Sequence, residues 1–226
     1  MEKLNITEGV VSEKTREIIT KNRRELSEVE GNILSLAGKD KDVRTILVTS
    51  CNNSEGKTIS AISLAYALCN ETNLNVLLVD GNLQRPKMHE LFNVAESPGL
   101  SDFILNGAVN VFKETEFERL MVMPAGTKTS NTLDVFRATD FGDKLAMLRD
   151  KFDYVIFDSS SILGSSDTSV AAQKFDGVVF VLECEKTKWE VLQMAVDKVI
   201  KLRGHVMGVI MNKRKYYIPR FLYGKI

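Results

Sequence analysis

Apolar residues occur along this chain in short continuous runs, separated by polar stretches and by segments with apolar residues at helical spacing. The clearest runs lie at 45–49, 74–79, 154–157, 177–182 and 206–211. Continuous runs are typical of parallel strands that are covered by helices on both faces. The helical spacing predicts helices at about 57–70, 134–151, 166–173 and 187–203. Strands alternating with helices predict a doubly wound α/β fold with a mostly parallel sheet.

The first run leads into a polar loop that ends in Gly56-Lys57-Thr58. A strand, such a loop and a helix form the layout of a phosphate-binding P-loop, in which backbone N–H groups and the helix N-terminus hold a phosphate. Lys57 is then expected to neutralise β- and γ-phosphate oxygens, and the Thr58 hydroxyl to bind Mg²⁺. The predicted nucleotide contacts are Asn53, Ser54, Glu55, Gly56, Lys57, Thr58 and Ile59.

This loop is poor in glycine. Cys51 stands at the usual first glycine position, and Asn52-Asn53-Ser54 replaces a glycine-rich stretch. Asparagine tolerates the left-handed backbone conformation better than most residues, so the turn is still expected to form at some cost. The simpler alternative is a Lys-Thr pair that opens a surface helix, but the preceding strand favours the P-loop.

Two of the later apolar runs end in an aspartate, at Asp80 and at Asp158. Right-handed crossovers place the ends of parallel strands along one edge of the sheet, so both carboxylates are expected to converge with Lys57. Carboxylates there are suited to holding Mg²⁺ or its waters, and Asp158 fits the Walker B position. We therefore predict Lys57, Asp80 and Asp158 as catalytic residues, with Thr58, Asp80 and Asp158 at the metal.

The composition narrows the possible partners and location. Thirty basic and thirty acidic residues give a net charge of zero, which gives no indication of nucleic-acid binding. Cys51, Cys69 and Cys184 have no metal-site spacing, and we interpret them as reduced thiols of a cytoplasmic protein. No apolar run approaches the ~18 residues that span a bilayer. Recruitment to the inner face of a membrane would therefore depend on a partner.

The two ends of the chain differ from its α/β body. Apolar residues at 12–36 have helical spacing and predict an amphipathic helix that packs on its own domain or on another copy. The predicted organisation is an N-terminal tail and helix at 1–42, a P-loop nucleotide-binding domain at 43–212 and a basic tail at 213–226. The tail holds three of the five tyrosines. It is interpreted as a solvated end, a phosphoacceptor or a dock for an anionic or membrane-proximal partner.

In this order, the motifs resemble those of the bacterial tyrosine autokinases of capsule and exopolysaccharide synthesis. The similarity covers about residues 24–215. It is carried by VLLVDGNLQRPKMHELF, ESPGLSDFILNG, VMPAGTKTSNTLDVF, FDYVIFDSSSIL, FDGVVFVLECEKT and GVIMNK. The resemblance implies a P-loop fold of the deviant Walker class, related to partition ATPases, with ATP and Mg²⁺ as cofactors. It also implies that Asn212 lies beside the nucleotide base. The implied partner is a membrane chain-length-determining protein, or polysaccharide co-polymerase, with possible self-association.

The sequence departs from this family at several positions. The second aspartate of the family is Asn82 here, and an amide cannot take a proton from a tyrosine hydroxyl. Ser159-Ser160-Ser161 replaces the usual Thr-Pro-Pro. The N-terminal helix lacks the family's Glu-x-x-Arg-x-x-Arg ring-assembly motif, and Arg24, Ser27 and Glu30 stand at the corresponding positions.

Three functional hypotheses follow from this pattern. The first is an ATP-dependent tyrosine autokinase whose acceptor is Tyr216, Tyr217 or Tyr223 in the tail of a neighbouring copy. The second is a nucleotide-responsive regulatory module, in which the same fold has weakened catalysis. The third is a partition-type ATPase, which is disfavoured because Asn52 stands where that class carries a signature lysine.

Overall fold

The computed structural model describes residues 9–13, 16–17, 31 and 43–214, and within them it contains a seven-stranded sheet. The strands are β1 (Thr45–Ser50), β2 (Val76–Asp80), β3 (Lys113–Glu114), β4 (Leu120–Met123), β5 (Tyr154–Asp158), β6 (Gly177–Glu183) and β7 (Val206–Asn212). Their spatial order is β3–β4–β2–β5–β1–β6–β7. All neighbouring pairs are parallel except β3 with β4. The predicted doubly wound, mostly parallel P-loop fold is therefore confirmed.

The helices of the described part lie between these strands. They are α1 (Lys57–Thr72), α2 (Met88–Leu91), α3 (Leu100–Asn106), α4 (Leu133–Arg137), α5 (Phe141–Lys151), α6 (Ser166–Ala171) and α7 (Trp189–Lys201), with a 3₁₀ turn at Ala172–Lys174. Within the described residues, every helix is too short or too polar to cross a bilayer.

The continuous apolar runs form strands because both faces of the sheet are buried. On β1, β2 and β5 every residue is buried, and neighbouring positions point into different cores. Leu47, Leu77 and Phe157 lie in one core, and their neighbours Ile46, Leu78 and Ile156 lie in the other. A strand with two buried faces has no polar alternation, which is the pattern seen in the sequence.

The sheet order brings the two predicted acidic strand ends together. β5 lies between β1 and β2, so Asp80 at the end of β2 pairs in register with Asp158 at the end of β5. The loop after β1 leaves the same edge, because β1 is parallel to β5. The candidate residues therefore meet at the carboxyl edge of the sheet, as expected for an open α/β sheet.

One predicted helix was wrong in detail. The helix predicted at 134–151 is two helices, separated at Ala138, where the backbone is extended. On one continuous helix, Phe136 and Phe141 would face about 140° apart. The break lets both enter one core, with ring centroids 5.8 Å apart.

The two chain ends lie largely outside the described residues. This applies to most of the amphipathic stripe at 12–36, to Arg24, Ser27 and Glu30, and to the tail from residue 215 onward. The described part of the N-terminal segment contacts the body. The Gly9 carbonyl accepts a hydrogen bond from the Glu116 N–H, and the Ser12 N–H donates to the Leu91 carbonyl. The domain boundaries at 42 and 212 stay predictions.

Phe157→Ala should lower the free energy of unfolding by about 3–5 kcal/mol, because it removes a fully buried ring that packs on the Phe175 ring and leaves a cavity. Urea denaturation monitored by circular dichroism measures this change. The matched control is Met147→Ala, since Met147 is 61% exposed on α5. This substitution should change the free energy of unfolding by no more than about 0.5 kcal/mol. Equal effects of the two substitutions would contradict the described core.

Candidate functional site

The loop between β1 and α1 leaves consecutive backbone N–H groups without partners. Among the described residues, the N–H groups at 53–56 donate no hydrogen bond. The backbone is left-handed at Ser54, with φ 65°, and at Gly56, with φ 99°. Such turns direct successive N–H groups toward a common side and form an anion-binding nest. Lys57 begins the helix that follows, and the positive helix end adds to the attraction for a phosphate.

Position 56 requires glycine for two reasons. Its φ of +99° is rarely adopted by residues with a side chain. In addition, a Cβ at this position would lie 2.0 Å from Nδ2 of Asn212, which approaches the loop from the end of β7. Asn212 therefore contacts the loop itself, and its Nδ2 donates to the Glu55 carbonyl at 2.9 Å.

The Glu55 side chain holds the start of the loop. Its carboxylate is buried and accepts hydrogen bonds from the Asn52 backbone N–H at 3.0 Å and from Asn52 Nδ2 at 3.2 Å. The Thr187 hydroxyl, from the turn after β6, donates to the same carboxylate. The predicted nucleotide contact of Glu55 is thus available through its backbone N–H, since its side chain is bonded within the protein. Ile59 packs against the core on the α1 side of the sheet.

Lys57 lies between the loop and the acidic strand ends. It is buried, and burial lowers the pKa of its ammonium group, while the negative charges of Asp158 and Glu55 oppose that shift. Asp158 is therefore one of the charges near Lys57, and the next residue, Thr58, bonds Asp158 directly. A phosphate in the nest would add negative charge beside this partly desolvated cation.

Asp158 is buried at the end of β5. Its Oδ2 accepts a hydrogen bond of 2.6 Å from the Thr58 hydroxyl, whereas its buried Oδ1 has no partner among the described residues. Burial, together with the neighbouring charge of Asp80, raises the pKa of this carboxyl group to about 7, against the opposing effects of Thr58 and Lys57. An unpartnered buried carboxylate oxygen is costly unless a cation or proton accompanies it.

Asp80 organises the segment that follows β2. Its Oδ1 accepts from the Asn82 N–H at 3.2 Å, and its Oδ2 accepts from the Lys87 N–H at 2.8 Å and the Met88 N–H at 2.9 Å. Burial raises the pKa of the carboxyl group to about 6, although these backbone hydrogen bonds oppose the shift. Both carboxylate oxygens are therefore engaged. The sequence predicts metal binding and catalysis for Asp80, but its pattern does not reveal this structural role.

The residues that depart from the kinase pattern contact one another. The Ser160 hydroxyl donates to the side-chain carbonyl of Asn82 at 2.7 Å. The next hydroxyl, that of Ser161, donates to the Asn53 side chain in the nest loop at 3.1 Å. The serine run after β5 therefore joins the loops that follow β1 and β2. These contacts span more than 75 positions of sequence, so no local pattern could have revealed them.

The site residues fit a magnesium ion that is shared with phosphate oxygens. The described part of the chain contains no cluster of three or more histidine, cysteine or acidic side chains that could hold a metal alone. The Thr58 hydroxyl and the free Oδ1 of Asp158 nevertheless supply hard oxygen donors beside the nest. Mg²⁺ is usually bound in this way, by one or two protein oxygens together with phosphates and water.

Comparisons with known proteins agree with this fold. The sequence profile of the AAA domain matches residues 43–207. The chain is 28% identical to tyrosine-protein kinase CpsD of Streptococcus pneumoniae over 219 residues, covering 95% of this chain and 94% of that protein. It is 26% identical to the putative tyrosine-protein kinase CapB of Staphylococcus aureus over 187 residues, covering 82% and 81%. The crystal structure of the chimeric protein CapA2B2 shares the fold, with a TM-score of 0.81 at 22% identity over 92% of this chain and 94% of that one.

Asp158→Asn should stabilise the nucleotide-free protein at pH 8 and should do so less at pH 5. A carboxyl group whose pKa is raised from 3.8 to about 7 by folding binds protons more tightly in the folded state, so its contribution to stability falls as the pH rises through that window. Removing the buried charge should raise the free energy of unfolding by on the order of 2–4 kcal/mol at pH 8. Thermal unfolding at the two pH values measures the difference.

The exposed Asp150 supplies the matched control for this substitution. Asp150→Asn changes the net charge by the same amount but should shift stability little at either pH. If Asp158→Asn is destabilising at pH 8, or if its effect does not depend on pH, the burial of an ionised carboxylate is not the dominant feature of the site.

Proposed function

We propose that this chain, which belongs to the AAA-domain family and within it to the bacterial tyrosine autokinases, binds Mg-ATP and transfers its γ-phosphoryl group to tyrosine. The observation that carries the proposal is the meeting of the free N–H groups at 53–56 with Lys57 and Asp158 at one edge of the sheet. Phosphoryl transfer requires mainly positioning and stabilisation of charge, and these residues supply both.

Each group has a separate task in this proposal. The nest would hold the β-phosphate, and Lys57 would stabilise negative charge on the transferred phosphoryl group. Thr58 and Asp158 would hold Mg²⁺, which neutralises phosphate charge when it is bound. The bond between the γ-phosphorus and the β–γ bridging oxygen of ATP would break, with ADP leaving, as the tyrosine oxygen bonds to the γ-phosphorus. The phenolic proton leaves to a base, and Asp80 is the proposed acceptor.

The biological setting is also proposed from the family. The kinase would act in capsule or exopolysaccharide synthesis with a membrane chain-length-determining protein that recruits it to the inner face of the membrane. The acceptors would be Tyr216, Tyr217 or Tyr223 of a neighbouring copy. These tyrosines lie outside the described residues.

Asn82 favours a second candidate function, a nucleotide-responsive module with weakened phosphotransfer. Its side-chain carbonyl already accepts a hydrogen bond from the Ser160 hydroxyl, and a neutral amide cannot take up the phenolic proton. Loss of a general base typically lowers the rate about 10²–10⁴-fold. Such a protein would still bind Mg-ATP through the nest and would respond to the nucleotide without rapid phosphorylation.

Incubation of the full chain with Mg-ATP should produce phosphotyrosine, and Lys57→Ala should lower it at least about tenfold because the transferred charge loses its stabilising cation. Mass spectrometry quantifies the modified peptides. Lys186→Ala is the control, since Lys186 is an exposed lysine paired with Glu183 on the surface. In parallel, changing the three tail tyrosines to phenylalanine should remove the signal. A signal unaffected by Lys57→Ala would overturn the kinase proposal.

Asn82→Asp separates the two candidates. The substitution keeps an acceptor for the Ser160 hydroxyl but adds a carboxylate that can take the phenolic proton. If the chain is a weakened module, Asn82→Asp should raise the phosphotyrosine yield by about 10²-fold or more, whereas an already active kinase should change by only a few fold. Asn131→Asp, on an exposed loop, controls for the added negative charge.

A further inference from the structure

Two neighbouring carbonyl groups of the nest loop are held by side chains from the end of β7. Asn212 Nδ2 donates to the Glu55 carbonyl at 2.9 Å. The ammonium group of Lys213 donates to the Ser54 carbonyl at 2.7 Å. These contacts join positions that are 157 and 159 residues apart in sequence, and both are accepted by carbonyl oxygens, so they do not occupy the N–H groups of the loop.

Because the trans peptide unit is planar, contacts to the carbonyl groups also fix the direction of the N–H groups of the nest. The Ser54 carbonyl and the Glu55 N–H belong to one peptide plane and point in opposite directions. The Glu55 carbonyl and the Gly56 N–H are related in the same way. The donors hold both carbonyl groups pointing away from the nest. Both N–H groups therefore point into the nest. From this geometry we infer that Asn212 and Lys213 are positioning residues that orient the Glu55 and Gly56 N–H groups toward a phosphate.

The loop sequence explains why such support is needed. A P-loop usually relies on several glycines, but this one places Ser54 in the left-handed region, with φ 65°. A residue with a Cβ is strained there, and the strain persists only where surrounding contacts fix the conformation. The donors from β7 supply that restraint from outside the loop.

The two donors are themselves anchored. Asn212 Oδ1 accepts the Lys213 backbone N–H at 2.9 Å, which sets the orientation of the amide. The Asn212 carbonyl accepts the Cys184 N–H at 2.9 Å. The Lys213 ammonium group also pairs with Glu183 at 3.0 Å, and Lys186 pairs with the same carboxylate at 3.1 Å. Lys213 and Lys186 thus share one acid, but only Lys213 also bonds the nest loop.

This arrangement differs from the role that the family resemblance implies for Asn212, a position beside the nucleotide base. If the amide contacts the base, its loss should weaken the binding of nucleotides but not of pyrophosphate, which has no base. An amide that orients the nest would affect every phosphate ligand equally. The inference rests on the nucleotide-binding part of the proposed function and is independent of phosphotransfer.

Titration calorimetry of the full chain with Mg-ADP and, separately, with inorganic pyrophosphate tests the inference. Lys213→Met and Asn212→Ala should each weaken both probes about 3–10-fold, the range expected for losing one hydrogen bond that preorganises the site. Lys186→Met removes the same charge from Glu183 without touching the loop, so it should bind like the wild type. Lys213→Arg keeps a donor and should restore most of the affinity.

The possible outcomes are distinct. The inference is overturned if Lys213→Met binds both probes like the wild type, or if Lys186→Met loses as much affinity. It is overturned for Asn212 if Asn212→Ala weakens Mg-ADP alone, since that result assigns the amide to the base. A wild type that binds neither probe overturns both the nest and the proposed nucleotide binding. Tight binding without any phosphotyrosine removes only the proposed phosphotransfer and leaves the inference supported.

Discussion

A buried carboxylate with one free oxygen is the constraint on which the rest of this site depends. Asp158 ends a strand that is covered on both faces, so its charge is almost completely removed from water. Thr58 satisfies one oxygen, and Lys57 supplies positive charge nearby, but the second oxygen has no partner among the described residues. The folded chain therefore holds an unfavourable charge that a bound cation would relieve. Phosphate in the adjacent nest would help to retain that cation.

The sequence predicted this convergence because parallel sheets have a simple geometry. Continuous apolar runs identified β1, β2 and β5, and the rule that crossovers are right-handed placed their ends on one edge. Features that depend on tertiary packing were harder to predict. β3 has only two residues and therefore no periodicity to detect. The break between α4 and α5 follows from the need to bury Phe136 and Phe141 on one side, which local helix propensity does not report.

The roles of the site residues were predictable only where one residue type implies one chemistry. A lysine and a threonine after a glycine indicated phosphate binding and metal binding, and the positions of these two residues support that expectation. The role of Asp80 was not accessible in this way, because its carboxylate is bonded to N–H groups up to eight positions later in a segment with no recognisable turn pattern. The contacts of Asn212 and Lys213 with the nest were hidden for a different reason. They depend on a strand that lies far from the loop in sequence but is adjacent to it in space.

The two departures at Asn82 and Ser160 are best understood together. Asp80 and Asp158 already carry raised carboxyl pKa values because both are buried, and the charge of Asp80 adds to the shift of Asp158. A third carboxylate at position 82 would add another negative charge beside them and would raise these pKa values further. The amide avoids that repulsion, and the Ser160 hydroxyl satisfies its carbonyl. In the proposed function, nucleotide binding would depend mainly on backbone N–H groups, whereas proton transfer would depend on the side chain at position 82. The proposed phosphate site would then be kept while the chemistry at the acceptor changes.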